Sequence, residues 1–511
     1  MDSLIKKKLG AFYTDNKLVK FINDKIIKQK PNSILEPSFG DGIFIKDLIC
    51  KKFKKKIVGV EIDKNTFQNF DIKQDNIKTY NKNFLNFSNQ KFEAIVGNPP
   101  FVRTRFLGAT QKKIAVDYYK KRLKLKSLSD PSIWLLFLYQ SMNLLKKNGS
   151  ICFILPYDFT FVTYGKPLWE KLFNNFKKIE VHHTKKRYFN DILQDTIVFF
   201  ANQYSGKTDK VEYFAYNNEI TDKYTLKSLI KKEDILGNNK PFKRALLTKK
   251  FLSIEKKISK KLIDLSELAS FHIGYVSGNK KYFHPNDETI EKFKLKKKSF
   301  IKTIADTSIL KNCGILTSNI NKKDLNNLFY PKKITNTDKE YIKFGEKNKF
   351  HKQHKTKIRD DWFKVPLIKT PDYLLSVFNE FPIMIFNDAK YIATNTFLCG
   401  YINKLRNKKI LLNSWFSSLT KLYIELEIHS LGGGMLIMVP QEVGRIKIPN
   451  LESLDKSQIM KINKLANKKE IKKIIEIGDE FILKKFLNLS QMEIREIKKC
   501  IEILKFWRNP I

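Results

Sequence analysis

The chain has 511 residues, 42% hydrophobic and 13% aromatic, enough for two to four domains with cores of their own. Its formal net charge is +45, and Lys and Arg outnumber acids by 41 to 22 over residues 1–230 and by 56 to 30 over residues 231–511, so the excess is no tail. Part of it matches the Lys, Asn and Ile bias of an AT-rich genome, but a charge this large points to a polyanionic partner, nucleic acid first. The five scattered cysteines form no Cys-x-x-Cys pair, there is no signal peptide, and no apolar run approaches the ~20 residues of a membrane span. These features exclude a disulfide scaffold, a zinc site and a membrane protein, and place the chain in a reducing cytoplasm.

Apolar, β-rich runs alternate with helical patterns through the first half. Ser33–Glu36 reads as a strand, Gly42–Lys52 as a helix, Ile57–Glu61 as a strand, and a further run ends near Phe84. Phe92–Gly97 is the next strand, and Ser132–Lys147 is a helix that Lys147-Asn148-Gly149 closes with a glycine cap. Strands at Ile151–Leu155, Ile179–His182 and Thr196–Phe200 complete the series, with a helix between the first two. Such alternation predicts an α/β fold, a doubly wound and mostly parallel sheet with helices on both faces and ligands at the carboxyl ends of its strands. Residues 204–239 turn irregular and polar, which places a domain joint there and divides the chain into 1–235 and 236–511. The second part reads as α+β: strand and turn over Phe271–Phe283, then Ile383–Phe386, Leu411–Trp415 and His429–Gly434. Its tail, Ser457–Lys505, reads as helices with a solvated basic face.

Every chemical motif falls at a predicted strand end. Residues 97–101 read GNPPF directly after Phe92–Val96. Two prolines cannot donate to a sheet ladder, so the strand stops in a stiff turn bearing one amide side chain, carbonyls and a ring. Glu36-Pro37-Ser38-Phe39-Gly40-Asp41-Gly42 follows the first strand, and Gly40 and Gly42 permit a tight turn and close approach to a ligand. Glu61 ends the next strand, 21 residues after Gly40, the offset at which an acid takes ribose hydroxyls. Glu36 and Asp41 would repel a pyrophosphate but suit a positively charged, nucleoside-containing cofactor. No GxxxxGK[ST] sequence is present, which argues against a P-loop nucleotide.

In that order these motifs resemble the gamma-type, TaqI-methyltransferase-like family of S-adenosylmethionine-dependent adenine-N6 DNA methyltransferases of restriction–modification systems. Gly10-Ala11-Phe12-Tyr13-Thr14 is similar to the family's N-terminal cofactor motif, Glu36 to Phe44 to its cofactor loop, and Asn98-Pro99-Pro100-Phe101 to its catalytic turn. The resemblance covers residues 8–203 closely and the remainder loosely. It implies a class I methyltransferase domain and a C-terminal target-recognition domain. Thr14, Glu36, Ser38, Gly40, Gly42, Glu61, Asn83 and Phe84 would then hold the cofactor, with Asn83 standing where the family has Asp. Asn98 and the Pro99 carbonyl would accept hydrogens of the target amine. Phe101 and Phe189 would stack on a base extruded from double-stranded DNA. Arg103 and Arg105 read either as DNA contacts or as solvated charges, and Gly278, Asn279 and Lys280 as DNA contacts or as turn residues. Asp130 fits the start of a helix, either beside the site or as a simple N-cap.

The cysteine and histidine pattern predicts no metal and a cytoplasmic setting, and the expectation that goes with the resemblance is a bacterial monomer with a cognate restriction endonuclease as functional partner. An RNA adenine-N6 enzyme is disfavoured by the long second domain, and a cytosine-N4 enzyme by Asn98 in place of Ser or Asp. A bifunctional restriction–modification enzyme lacks a Pro-Asp…Glu-x-Lys constellation here, and a non-catalytic DNA-binding subunit would have no use for the intact loop and turn.

Overall fold

The computed structural model describes residues 14–88, 90–124, 130–188, 195–237, 240–379, 382–404, 407–430, 434–451 and 456–509. The stacking candidate Phe189, the segment Gly10–Tyr13 and Leu431–Gly433 lie outside these residues. The chain forms two compact units, Met1–Leu246 with Phe506–Ile511, and Leu247–Lys505. Composition placed the joint at 235/236.

The first unit begins with helix α1 (Asn16–Ile27), whose N-cap Asp15 accepts hydrogen bonds from Lys17 N and Leu18 N. Then come β1 (Ser33–Glu36), α2 (Ile43–Cys50), β2 (Lys56–Glu61), α3 (Lys64–Gln68), β3 (Ile77–Asn81), β4 (Phe92–Gly97), α4 (Ala109–Asp117) and α5 (Ile133–Asn143). They are followed by β5 (Leu145–Pro156), α6 (Lys166–Asn175), β6 (Phe176–Thr184), β7 (Thr196–Tyr204), β8 (Lys210–Tyr216) and β9 (Leu226–Lys231). The nine strands form one sheet in the order β3-β2-β1-β4-β5-β7-β6-β8-β9. β3 through β5 run parallel, and β7 is antiparallel to both of its neighbours. Leu18, Ile22 and Ile26 form a stripe on α1 that packs with Phe44 and Leu48 of α2 and with the sheet residues Ile34, Val96 and Ile154.

From β1 the chain winds outward to β2 and β3, then returns to the other side of β1 as β4. Side by side, the carboxyl ends of β1 and β4 form the crevice where such sheets bind ligands.

Two local expectations are corrected. Lys147-Asn148-Gly149 caps no helix: α5 ends at Asn143 and these residues bulge from β5, whose register jumps from Phe92↔Leu145 to Ala94↔Ser150. A Cβ at Gly149 would lie 2.9 Å from Lys146 O and 3.1 Å from Glu93 O, so the glycine serves the bulge. Nor does the sheet close at Phe200. The segment that reads as irregular contains β8 and β9, where buried Val211, Tyr213 and Ala215 alternate with polar Lys210 and Glu212.

The second unit is α+β. One antiparallel sheet orders Ala269–Ile273, Phe397–Ile402, Tyr373–Ser376 and Ile385–Phe386, and a mixed sheet orders Asn326–Phe329, Phe300–Ile304 and Ile392–Ala393. Gly274 splices the two, since its N donates to Phe397 O and Tyr275 N donates to Ala393 O, both at 3.0 Å. A Cβ at Gly274 would overlap the carbonyls of Ala393 and Thr394. The tail is helical, as expected, over Lys456–Asn467, Ile471–Gly478 and Gln491–Arg508. Among the described residues no helix is long and apolar enough to cross a membrane.

Candidate active site

The turn after β1 is shaped by its glycines. Gly40 and Gly42 take φ of +55° and +76°, the left-handed region, and Gly42 starts α2. Buried Phe39 packs against Phe70 with centroids 4.8 Å apart, and a Cβ on Gly42 would overlap the Phe70 ring. Phe70 lies in an irregular stretch with no periodic signal, and the sequence reading missed it.

Glu61, at the end of β2, closes this turn from below. Its Oε2 accepts from Gly40 N at 3.0 Å, and its Oε1 accepts from Ile62 N and Asp63 N, both at 2.8 Å. Burial raises its pKa above the usual carboxylate range, against the pull of those three N–H donors. Glu36 is more extreme. Only 2% exposed, it has its pKa pushed well up, first by burial and then by Asp41 and Glu61. Its Oε2 is buried with no hydrogen-bond partner. Both open into a cleft of about 870 Å³, whose wall also carries Asp41 and Asp63 together with Lys46 and Lys82. A buried, unpartnered carboxylate oxygen among further acids fits a cationic group.

The Asn-Pro-Pro turn forms the other wall. Register Ile34↔Ala94 and Leu35↔Ile95 sets β4 against β1, so Asn98 emerges beside the β1 turn. Asn98 Nδ2 donates to Thr14 Oγ1 at 3.2 Å, and Ser38 Oγ donates to Asn98 O at 3.4 Å. Two predicted cofactor residues thus also hold the predicted catalytic one. Thr14, Asn98 and Pro100 line the cleft, Pro99 is buried, and Phe101 is half-buried against the sheet core.

On the far wall Asn83 caps a short turn, its Oδ1 accepting from Leu85 N at 2.9 Å. Phe84 packs on Phe137 of α5 with centroids 4.8 Å apart, and both rings line the cleft.

Asp130 is not the cap of α5, which is Ser132. Its Oδ1 instead accepts from Thr104 Oγ1 at 2.9 Å and Arg105 N at 2.8 Å. Its Oδ2 lies 3.4 Å from Arg105 Nη1 and 4.0 Å from Arg103 Nη1. Both guanidinium groups remain half-exposed. In the second unit Asn279 is an N-cap, its Oδ1 accepting from Tyr282 N at 3.0 Å, and Lys280 pairs with Asp306 at 3.1 Å. Gly278 has φ +88°, and Arg359 fixes its loop by donating to Val276 O and Ser277 O at 2.8 and 2.9 Å.

The histidines His182 and His183 are buried on β6, each Nδ1 against a tyrosine hydroxyl, Tyr216 at 2.8 Å and Tyr213 at 2.9 Å. Among the described residues no group of three or more His, Cys, Asp or Glu could hold a metal ion.

A mostly parallel sheet whose switch point gathers an acidic glycine turn and an Asn-Pro-Pro turn in one cleft has the build of a class I methyltransferase. Residues 15–189 match the Eco57I restriction-modification methylase family, and residues 239–483 match the C-terminal domain of type II methyltransferase M.Eco57I. The chain belongs to the DNA methyltransferases of restriction–modification systems. Type II methyltransferase M.AccI of Acinetobacter calcoaceticus is 25% identical, over 94% of this chain and 92% of that enzyme. M.HincII of Haemophilus influenzae is 32% identical over 202 residues, which are 39% of this chain and 38% of the relative. The fold is similar to that of the type IIL restriction-modification enzyme MmeI, solved in complex with DNA: TM-score 0.57, 14% identity, 99% of this chain and 80% of that one.

Proposed function

We propose that the chain transfers a methyl group from S-adenosylmethionine to the N6 amine of an adenine extruded from double-stranded DNA, as the modification enzyme of a type II system. The observation that carries this reading is the Asn98–Thr14 hydrogen bond at the cleft wall. It engages the amide nitrogen and turns the amide oxygen elsewhere, available to a donor.

An exocyclic adenine amine is a poor nucleophile because its lone pair is delocalised into the ring. Asn98 Oδ1 and the Pro99 carbonyl accept its two hydrogens, favour a tetrahedral nitrogen, and stabilise the positive charge that develops there. The prolines keep this frame stiff before substrate arrives. Phe101 and Phe189 stack on the extruded base. No general base with a tuned pKa is needed.

S-adenosylmethionine supplies an electrophilic methyl group on a sulfonium. The acidic wall suits that cofactor: Glu36, buried with an unpartnered oxygen, takes the ammonium, and Glu61 takes the ribose hydroxyls. Gly40 and Gly42 let the backbone approach, Thr14 and Ser38 border the methionine end, and Asn83 and Phe84 face the purine. The charge of +45 suits DNA phosphates, with residues 236–511 as the target-recognition domain, Arg103, Arg105, Gly278, Asn279 and Lys280 on its DNA side, and a cognate endonuclease as functional partner. A cytoplasmic monomer completes the proposal.

The test is to sequence methylated bases in DNA from a methylation-free host that expresses the chain. N6-methyladenine within one short motif supports the reading, and its loss in Asn98→Ala with cofactor affinity retained supports the assigned role. Unmodified DNA from a soluble, cofactor-binding protein overturns it and moves the reading to an RNA substrate or to an enzyme that needs a separate specificity partner.

A further inference from the structure

Beyond the Asn-Pro-Pro turn the backbone is fastened at almost every residue, yet the fastening holds an aromatic ring out in solvent. Val102 O accepts from Ile133 N at 2.8 Å, Thr104 N donates to Pro131 O at 3.1 Å, and Asp130 secures Thr104 and Arg105. A tight turn then closes with Phe106 N donating to Arg103 O at 3.0 Å. Its product is Phe106, 62% exposed, with the Arg105 guanidinium carbon 4.8 Å from the ring centroid. The next residue, Leu107, lines the cleft that holds Asn98.

A single exposed phenylalanine is ordinary. This one differs in three respects: its backbone segment is held by hydrogen bonds on both sides, a cation lies on its ring, and it stands eight residues beyond Asn98, next to a residue that lines the cleft. A flat apolar face backed by two arginines that share one carboxylate matches a nucleobase stack flanked by phosphates. Extruding a base opens a gap in that stack, and proteins that deform duplexes fill such gaps with apolar wedges.

We infer that Phe106 enters the DNA base stack at the gap left by the extruded adenine, with Arg105 and Arg103 meeting the adjoining phosphates. This inference rests on the reading that the substrate is an adenine extruded from duplex DNA. The wedge stabilises the open duplex and takes no part in methyl transfer, so its benefit depends on how firmly the target base is paired.

The test compares Phe106→Ala with wild type on two duplexes carrying the methylated motif. One has the target adenine paired, and the other has it opposite an abasic site. Phe106→Ala should lose about tenfold or more in kcat/KM on the paired duplex but stay within about twofold on the abasic one. Phe106→Trp should retain activity on both. With 2-aminopurine at the target position, the alanine variant should lose most of the fluorescence rise that accompanies extrusion. Equal loss on both duplexes, or no loss on the paired one, overturns the inference. Cofactor affinity equal to wild type excludes misfolding of this exposed position. If wild type methylates neither duplex, the underlying reading falls and the wedge falls with it. If Asn98→Ala is inactive while Phe106→Ala matches wild type on the paired duplex, only the wedge falls.

Discussion

Replacing Glu36 by glutamine is expected to stabilise the ligand-free protein and to weaken its grip on S-adenosylmethionine. The carboxyl is 2% exposed, one oxygen has no partner, and Asp41 and Glu61 add repulsion to the cost of burial. Its pKa therefore stands well above 4.5, so the folded state holds more protons than the unfolded state between that value and the raised one. The contribution of Glu36 to stability therefore falls as pH rises through this interval, opposite in sign to that of the buried histidines, and Glu36→Gln should remove that contribution from the wild-type profile. Binding runs the other way. On the proposed assignment the ammonium would pair with the ionised carboxylate, so affinity should rise with pH over the same interval, by up to about tenfold per unit, and binding should release a proton. Loss of the charged hydrogen bond should cost about 1.5–3 kcal/mol, roughly 10- to 150-fold in Kd. Calorimetric titration of both proteins across a pH series, in two buffers of different ionisation enthalpy, reads affinity and proton release together. Wild-type affinity that is flat with pH, or a glutamine variant that binds equally well, would refute the assignment.

Three other changes address different parts of the fold. Asp130→Asn leaves the shape but removes the charge that holds Arg105 and Thr104, so single-turnover methyl transfer should slow about tenfold while cofactor affinity is unchanged. Unchanged transfer would show that the clamp is dispensable. Burial above all holds His182 down to about 4 and His183 to about 3, so their contribution is complete above 6.5 and is lost as pH falls toward 4. Denaturant titrations should show stability dropping by about 1.4 kcal/mol per pH unit for each histidine in that window, with His183→Phe halving the slope. A slope that His183→Phe leaves unchanged would locate the acid sensitivity elsewhere. Gly478→Ala would drive a Cβ into the Phe416 carbonyl and should destabilise the second unit by about 2 kcal/mol, visible as a lower Tm in scanning calorimetry. An unaltered Tm would contradict the close approach.

The central strands and the cleft were legible because their physics is local. Ser33–Glu36 and Phe92–Gly97 are short apolar runs ended by residues that cannot continue a ladder, and the observed β1 and β4 have those bounds. Where the reading failed, one local signal has two physical sources. Lys147-Asn148-Gly149 looks like a helix cap because both a cap and a bulge need a glycine, and only the approach to Glu93 O decides between them. Asp130 two residues before a helix looks like a cap, but its partners Thr104 and Arg105 are 26 and 25 residues away. At the sheet edge β8 and β9 are disguised by Lys and Glu, residues that a half-solvated edge strand tolerates on its outer face.

The two units differ in how their motifs carry meaning. In the first, Thr14, the β1 turn, Glu61 and Asn98 come from four separate stretches and line one cleft, a convergence that packing alone does not require. In the second, Gly274, Gly278 and Asn279 each have a local role in the fold. Gly274 lets two sheets meet, Gly278 sits in a loop held by Arg359, and Asn279 caps a helix. Glycine spacing there reports scaffold geometry. On the proposed reading of this unit as the target-recognition domain, target choice would reside in exposed side chains displayed by those loops, because base-edge readout depends on such side chains rather than on backbone shape. A single sequence therefore points to the chemistry proposed for the first unit far more readily than to the target preference proposed for the second.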